Sequence, residues 1–137
     1  MSATMHFDNA KTGDIVELTA FAEAELEKYD PPMKAMLQIN IAIDEIYSNI
    51  VKFAYGDATG PADVMIGCDE AKRVVSIVFE DEGTPYNPLD REDPDITLSI
   101  EERGIGGLGL FMVKKIMDDV IYNYDGTKNI LTLKKNI

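Results

Sequence analysis

The sequence predicts a single α/β domain, an α+β two-layer sandwich whose helices cover one face of a largely antiparallel sheet. Five short segments alternate apolar and polar residues, and three longer ones follow helical spacing, in the order β, α, α, β, β, loop, α, β, β. Asp125-Gly126 between two apolar runs is a strong hairpin signal. A length of 137 residues suits one domain over 1–137.

The first half of the chain supplies one strand and two helices. "SATMHFD" predicts a short first strand, and "TGDIVELTAFAEAELEKYD" predicts a helix with Thr12 as a candidate cap. The run from Asp30 to Pro32 ends that helix and opens a second, because proline suits a first helical turn. This second helix is apolar nearly all round, so we expect it to be largely buried and to stop near Gly56.

The second half predicts two strand pairs separated by a loop and a helix. "ADVMIGC" and "KRVVSIVFED" read as strands joined by a tight turn. The stretch from Glu82 to Arg103 is long for a loop in a compact domain, and loops of that length are usually functional or disordered. A helix to about Asp119 and the final hairpin follow.

Composition and charge narrow the classes of function. The net charge of −12 argues against nucleic acid as the main partner, because phosphate contacts need Lys and Arg. An acidic protein can still bind a nucleotide through a divalent cation, or dock onto a basic protein. No run is long enough to cross a membrane, and the first residues show no signal peptide. Cys68 is the single cysteine, which fits the cytoplasm.

Four glycines fall within the six positions from Gly104 to Gly109, directly before the third predicted helix. Backbone N–H groups at a glycine-rich helix start can approach an anion closely, so phosphate is the expected ligand. A P-loop would need Lys and Ser/Thr next, where Leu110 and Phe111 stand. A dinucleotide fingerprint would have to follow a strand early in a βαβ unit. The loop is therefore expected to bind phosphate through a third architecture.

Two polar constellations accompany the glycines. Glu45 and Asn49 are four residues apart on the second helix, and their oxygens are of the kind that Mg²⁺ accepts. A solvated strip with Asp44 and Ser48 is an equally good interpretation of that pair taken alone. Asp81 ends a strand just before Gly83, where its carboxylate could accept from an exocyclic amine. Taken alone, that segment is better explained as a turn.

Together and in this order, the three constellations resemble the Bergerat-fold ATP-binding superfamily. Histidine kinases, type II topoisomerases, mismatch-repair ATPases and heat-shock chaperones share that fold. "DEIYSNIVKFAYG", "DEGTPYNP" and "RGIGGLGLFMVKKIMDDVIYNYDGTKNILTLKK" look most like the small anti-sigma factors that are also serine-protein kinases. The resemblance implies a mostly antiparallel mixed sheet. It departs from the larger ATPases in the Pro-Tyr-Asn-Pro run after Gly83, which suits the anti-sigma branch.

The resemblance also implies roles for individual positions. Glu45 would be the general base, Asn49 would ligate Mg²⁺, and Asp81 would accept from the adenine amino group, with Gly83 allowing close approach. Thr132 would support the adenine end through water. The stretch from Thr84 to Arg103 would be a mobile lid. The implied phosphate contacts are Arg103, Gly104, Gly106, Gly107, Leu108 and Gly109.

The sequence also limits which group could accept the phosphate of ATP. His6 is the only histidine and falls in the first predicted strand, and the chain is expected to lack room for a phosphoacceptor helix pair. The phosphate should therefore go to water or to another protein. The resemblance implies a serine or threonine on a STAS-type anti-sigma factor antagonist, a sigma factor as second partner, and a homodimer. A nucleotide-gated binding module without kinase activity, and a scaffold whose glycines merely cap a helix, stay open as alternatives.

Overall fold

The computed structural model describes residues 2–90 and 107–137. Within these ranges, five strands and three α-helices follow the predicted order. The strands are β1 Ser2–Phe7, β2 Ala62–Asp69, β3 Val74–Asp81, β4 Asp119–Tyr124 and β5 Asn129–Asn136. The helices are α1 Asp14–Glu27, α2 Met33–Asn49 and α3 Gly107–Ile116.

The strands form one sheet in the order β1-β2-β3-β5-β4. All four pairings of the described strands are antiparallel. The predicted fold class is therefore confirmed, and the sheet of the described strands is antiparallel where a mixed sheet was expected. Antiparallel strands can follow one another through tight turns. The β4–β5 turn does so at Gly126, whose φ of 96° favours glycine, and the Asp125 carboxylate accepts from the N–H groups of Thr127 and Lys128.

The helices lie against one face of this sheet, and the core fills the space between the two layers. Alternate strand residues face the helices because the side chains of a strand point to opposite faces. The buried side chains on that face of β2, β3 and β5 are Ala62, Val64, Ile66, Cys68, Val75, Ile77, Phe79, Leu131 and Leu133. Cys68 is a buried free thiol, and burial raises its pKa, which fits a packing role.

The second helix differs from its prediction in two ways. The backbone passes at Ile50 from α2 into a π-helix, Ile50–Ala54, before the chain turns at Gly56 with φ 62°. Single π-turns inside helices are rare and often lie at functional sites. The helix is also less buried than predicted, since Ile41 and Phe53 are exposed.

A buried hydrogen bond fixes α1 against α2. The hydroxyl of Tyr47 donates to Oδ2 of Asp14 at 2.6 Å, and the same oxygen accepts the N–H of Lys11 at 2.9 Å. Burial, followed by the Asp14 carboxylate, raises the pKa of Tyr47, so its hydroxyl stays a donor.

The N-cap of α1 is Gly13, so the prediction that Thr12 caps this helix is wrong. No helix in the described ranges has the length and apolar character needed to cross a membrane.

Candidate functional site

A cavity opens between the end of α2 and the sheet. The space inside this cleft, counted with its open mouth, is about 540 Å³. The lining is mainly apolar and aromatic, with few polar groups, as expected for a site that holds a flat organic ligand. The lining residues are Ile46, Asn49, Ile50, Phe53, Ala54, Phe79, Asp81, Tyr86, Pro88, Tyr122 and Leu131.

Asp81 is the charged residue of this lining. It is the last residue of β3 and only 8% exposed. Its Oδ1 accepts the N–H of Gly83 at 2.9 Å and the side-chain amide of Asn129 at 3.0 Å. Oδ2 makes no hydrogen bond with any residue in 2–90 or 107–137. A carboxylate oxygen that makes no hydrogen bond beside a cavity is open to a donor, and a ligand that carries an amino group would supply one.

Gly83 is held against the π-helix. A Cβ at Gly83 would lie 2.2 Å from the carbonyl oxygen of Ala54, and the next residue, Thr84, donates its N–H to that oxygen at 2.9 Å. The strand end and the helix end therefore meet at this position, and glycine is the residue that lets them meet. The close approach seen here is to protein backbone, while the approach to a ligand stays a prediction.

Asn49 and Glu45 lie at the other side of the site. Asn49 is the last residue of α2 and lines the cavity. Glu45 lies one turn earlier, and its carboxylate reaches the first turn of α3, where a Cβ on Gly109 would be 2.1 Å from Oε1. The helix with the two oxygen donors and the glycine-rich helix are thus brought together. First-turn N–H groups of a helix lack partners within the helix, and the Glu45 carboxylate lies at that turn, so binding of phosphate there stays a prediction.

The side-chain oxygens of Asn49 and Glu45 are of the kind that binds a magnesium ion together with phosphate oxygens. Asn49 and Glu45 supply carbonyl and carboxylate oxygens, the ligands that Mg²⁺ prefers. The described residues hold no group of three or more His, Cys, Asp or Glu that could bind a metal by themselves. Mg²⁺ commonly takes one or two protein ligands together with substrate phosphates, and Asn49, which lines the cavity, would be such a ligand.

Tyr55 connects the end of the π-helix to the residue before β2 and the residue after β3. Its hydroxyl donates to the carbonyl oxygen of Pro61 and accepts the N–H of Glu82 at 2.8 Å. Burial is the main cause that raises the pKa of Tyr55, so the hydroxyl remains protonated and can donate. Phe53 and Tyr86, both about half exposed, place aromatic rings on the cavity lining.

Thr132 is not brought into this site. Its neighbours Leu131 and Leu133 are buried toward the helices, so Thr132 points to the opposite face of the sheet, where it pairs with Val78. The residue of β5 that lies beside Asp81 is Asn129, which the sequence analysis missed. The hairpin turn in the sequence predicts the register of β5 against β4, but no nearby sequence signal predicts the register of β5 against β3.

Several predicted phosphate contacts lie outside the described residues, namely Arg103, Gly104 and Gly106, together with most of the predicted lid between Thr84 and Arg103. Gly107 and Leu108 open α3. Two hydrogen bonds from backbone N–H groups hold the described start of the lid segment. The N–H of Thr84 donates to the carbonyl oxygen of Ala54 in the π-helix, and the N–H of Tyr86 donates to Oδ1 of Asn129 at 3.1 Å.

Comparison with known proteins shows the family of the chain. Residues 9–135 match the model of the histidine kinase-like ATPase domain family. The serine-protein kinase RsbW of Listeria monocytogenes is 32% identical over 106 residues, which cover 74% of this chain and 66% of that protein. RsbW of Bacillus thuringiensis strain Al Hakam is 29% identical over 98 residues, covering 70% of this chain. The match spans 61% of the Bacillus protein, about three-fifths of its length.

Solved structures show the same fold. The RsbU and RsbW domains of a Mycobacterium tuberculosis protein align with a TM-score of 0.67 at 15% identity, over 98% of this chain and 32% of that one. A histidine kinase domain of a blue-light activated kinase from Erythrobacter litoralis aligns with a TM-score of 0.52 at 12% identity, over 90% of this chain and 59% of that one. The chain therefore belongs to the histidine kinase-like ATPase domain family, with serine-protein kinases named RsbW among its relatives.

Proposed function

We propose that this protein is an ATP-dependent serine/threonine protein kinase that also acts as an anti-sigma factor. Its acceptor would be a STAS-type anti-sigma factor antagonist, and the sigma factor would be its second partner. The observation that carries the kinase proposal is the placement of Asn49 and Asp81 on one cavity, with Glu45 one turn away against α3. The name of the RsbW relatives, serine-protein kinase, supports the class of reaction.

The cavity supports adenine as the base. A purine ring is flat and apolar on both faces, which suits a lining rich in aromatic and aliphatic side chains. The adenine amino group would donate to Oδ2 of Asp81, the carboxylate oxygen that makes no hydrogen bond in the described ranges. Guanine and hypoxanthine carry an oxygen at that ring position, which would face the carboxylate with like polarity.

The phosphates would extend from the cavity toward the first turn of α3. Asn49 would hold Mg²⁺ together with phosphate oxygens, and the ion would neutralise charge on the terminal phosphate. An acceptor hydroxyl oxygen would bond to the γ-phosphorus while the bond to the β–γ bridging oxygen breaks. ADP would leave, and the hydroxyl proton would pass to the Glu45 carboxylate.

The surface next to Glu45 supports a protein as the acceptor. Met33, Leu37 and Ile41 are spaced four residues apart on α2 and are 88%, 60% and 44% exposed. We call these three residues the α2 ridge. The next step of the same spacing is Glu45, so the ridge leads along the helix to the proposed base. An acceptor protein must contact the surface around Glu45 to deliver a hydroxyl there, and the α2 ridge offers it apolar area.

The proposals for the remaining partners depend on the family resemblance and on the net charge of the protein. A net charge of −12 favours association with a basic protein surface, which supports a protein partner such as a sigma factor. The homodimer and the cytoplasmic location stay predictions on the same footing. A nucleotide-gated binding module is the alternative, and the presence of Glu45 favours the kinase, because binding of ATP needs no general base.

Phosphate transfer in the Glu45→Gln variant tests the proposal. With radiolabelled Mg-ATP and the cognate antagonist, the unmodified protein should label a serine or threonine, and the variant should be slower by about 10²–10⁴-fold. Nucleotide affinity should change little, because the amide keeps the size of the side chain. Asp44→Asn, on the exposed face of the same helix, also replaces a carboxylate by the amide of equal size and is the matched control. No transfer by the unmodified protein, with ATP-dependent partner binding intact, would establish the binding module instead.

A further inference from the structure

Asn129 occupies a central place beside the cavity although it contributes no reactive group. It is the first residue of β5, pairs directly with Asp81 across the β3–β5 ladder, and is 7% exposed. A buried carboxamide has to satisfy both its amide hydrogens and its carbonyl oxygen. The hydrogen bonds of Asn129 therefore show what this residue holds in place.

The nitrogen side of Asn129 faces three acceptors. Nδ2 lies 3.0 Å from Oδ1 of Asp81, 3.0 Å from the carbonyl oxygen of Thr84 and 3.4 Å from that of Gly83. Only an NH₂ group can satisfy a carboxylate and two carbonyls on one side. One amide hydrogen serves the carboxylate, and the other is shared by the two carbonyls.

The oxygen side of Asn129 faces two donors. Oδ1 accepts the backbone N–H of Tyr86 at 3.1 Å and the hydroxyl of Tyr122 at 2.5 Å. Both tyrosines line the cavity. One side chain thus binds the base-reading carboxylate, the backbone from Gly83 to Tyr86, and the neighbouring strand β4.

We propose that Asn129 is a positioning residue that makes recognition of the nucleotide base depend on the conformation of residues 83–86. Its NH₂ group and the N–H of Gly83 hold Oδ1 of Asp81, which reserves Oδ2 for the ligand amino group. Its carbonyl oxygen keeps Tyr86 in the cavity lining. This inference rests on the proposed function, because it takes Asp81 as the acceptor of the adenine amino group.

The variants Asn129→Asp and Asn129→Ala separate the two sides of the residue. Aspartate has the same size and can still accept from the Tyr86 N–H and the Tyr122 hydroxyl, but it cannot donate to Asp81. Alanine removes both sides. Asn123→Asp adds the same charge at an exposed position of β4 and is the matched control.

The measurement is the ratio of the dissociation constants for inosine triphosphate and ATP, by calorimetry with Mg²⁺. In the unmodified protein the ratio should be about ten or more, because only ATP carries the amino group. It should fall toward one in both Asn129 variants and stay unchanged in Asn123→Asp. Hydrogen exchange of the Tyr86 amide should accelerate in Asn129→Ala but not in Asn129→Asp.

A purely structural role for Asn129 predicts another pattern. Both nucleotides would then weaken equally and the ratio would persist, which overturns the positioning role. A ratio of one in the unmodified protein would instead remove Asp81 as the base reader, so failure of the proposed function is distinguishable. If Asn129→Asp does not fold, because its new carboxylate lies beside Asp81, the ratio in Asn129→Ala decides the question.

Discussion

The carboxylate of Glu45 lies directly against Gly109, at the first turn of α3. A Cβ on Gly109 would be 2.1 Å from Oε1 and 2.4 Å from Oε2 of Glu45, a separation that no side chain accepts without movement. The glycine therefore leaves the space that the proposed general base occupies. Two motifs that are 64 residues apart in the sequence meet at this contact.

Gly109→Ala should displace the proposed base without unfolding the protein. The added methyl group meets the flexible end of a side chain, which can rotate away, and alanine is a better helix former than glycine by about 1 kcal/mol. Phosphate transfer should fall by about 10²-fold or more, because a displaced carboxylate no longer reaches the hydroxyl proton. Thermal unfolding should stay close to that of the unmodified protein.

The double variant Gly109→Ala/Glu45→Gln shows whether the two residues act together. If the glycine acts through Glu45, the double variant should be no slower than Glu45→Gln alone. Multiplied rate losses would mean that Gly109 serves the phosphates directly and not through the carboxylate.

Asp81→Asn should reverse the preference for the base. Oδ1 must remain an acceptor for the Gly83 N–H and the Asn129 amide, so the new NH₂ group takes the place of Oδ2. A donor there opposes the adenine amino group and matches the oxygen of hypoxanthine. ATP binding should weaken by about 1.5–3 kcal/mol, and inosine triphosphate should bind relatively better, as measured by calorimetry. An unchanged ratio of the two affinities would contradict the assignment.

Gly83→Ala should destabilise the fold around the cavity. Its Cβ would collide with the backbone oxygen of Ala54, which cannot rotate away as a side chain can. Overpacking of this kind typically costs about 1–3 kcal/mol, visible in denaturant unfolding. Gly13→Ala is the control, because a Cβ there has nothing within 4 Å and φ is −62°. Equal stability of the two variants would mean that residues 83–84 can move off the π-helix.

Leu37→Glu should impair use of a protein acceptor and spare nucleotide binding. Leu37 is 60% exposed in the middle of the α2 ridge, so a charge there costs the fold little but opposes an apolar contact. The value of kcat/KM for the antagonist should fall by about tenfold or more, with unchanged affinity for Mg-ATP. Val16→Glu, on α1 and 77% exposed, carries the same change elsewhere. Equal kinetics of the two variants would remove the α2 ridge from the acceptor contact.

The attachment of β1 should depend on pH through His6. Its Nδ1 lies 2.5 Å from Oδ1 of Asp63, and Nε2 lies 2.9 Å from Oδ1 of Asp8. These hydrogen bonds, that with Asp63 first, raise the pKa of His6 above its ordinary value of 6.5. A raised pKa means stability that is fully present below about pH 6.5 and is lost as the pH rises through the folded value.

The single histidine makes this measurable by one imidazole signal in a proton NMR titration, which should give a midpoint above 6.5. The difference in melting temperature between the unmodified protein and His6→Gln should shrink as the pH rises through that midpoint. A midpoint at or below 6.5 would show that the contacts with Asp63 and Asp8 do not hold the proton in solution.

Local patterns in the sequence predicted much of the fold and the family of the protein. Helical and strand periodicity gave the order of the elements, and the four-residue spacing of Glu45 and Asn49 put them on one side of a helix. The resemblance carried by the three motifs agrees with the family match over residues 9–135. These features depend on residues close together in the chain, which is why periodicity and spacing reveal them.

The tertiary structure decided which residues meet. Pairing of β5 with β3 brings Asn129 against Asp81 across 48 residues and turns Thr132 to the far face of the sheet. A shift of one residue in that pairing would reverse every side chain of β5, and no local signal fixed it. The π-helix and the Glu45–Gly109 contact likewise depend on how α2 packs against the strand end and α3. Contacts between distant segments arise from packing of the whole core, so the sequence by itself determined the elements and motifs, and the assembled fold determined the geometry of the site.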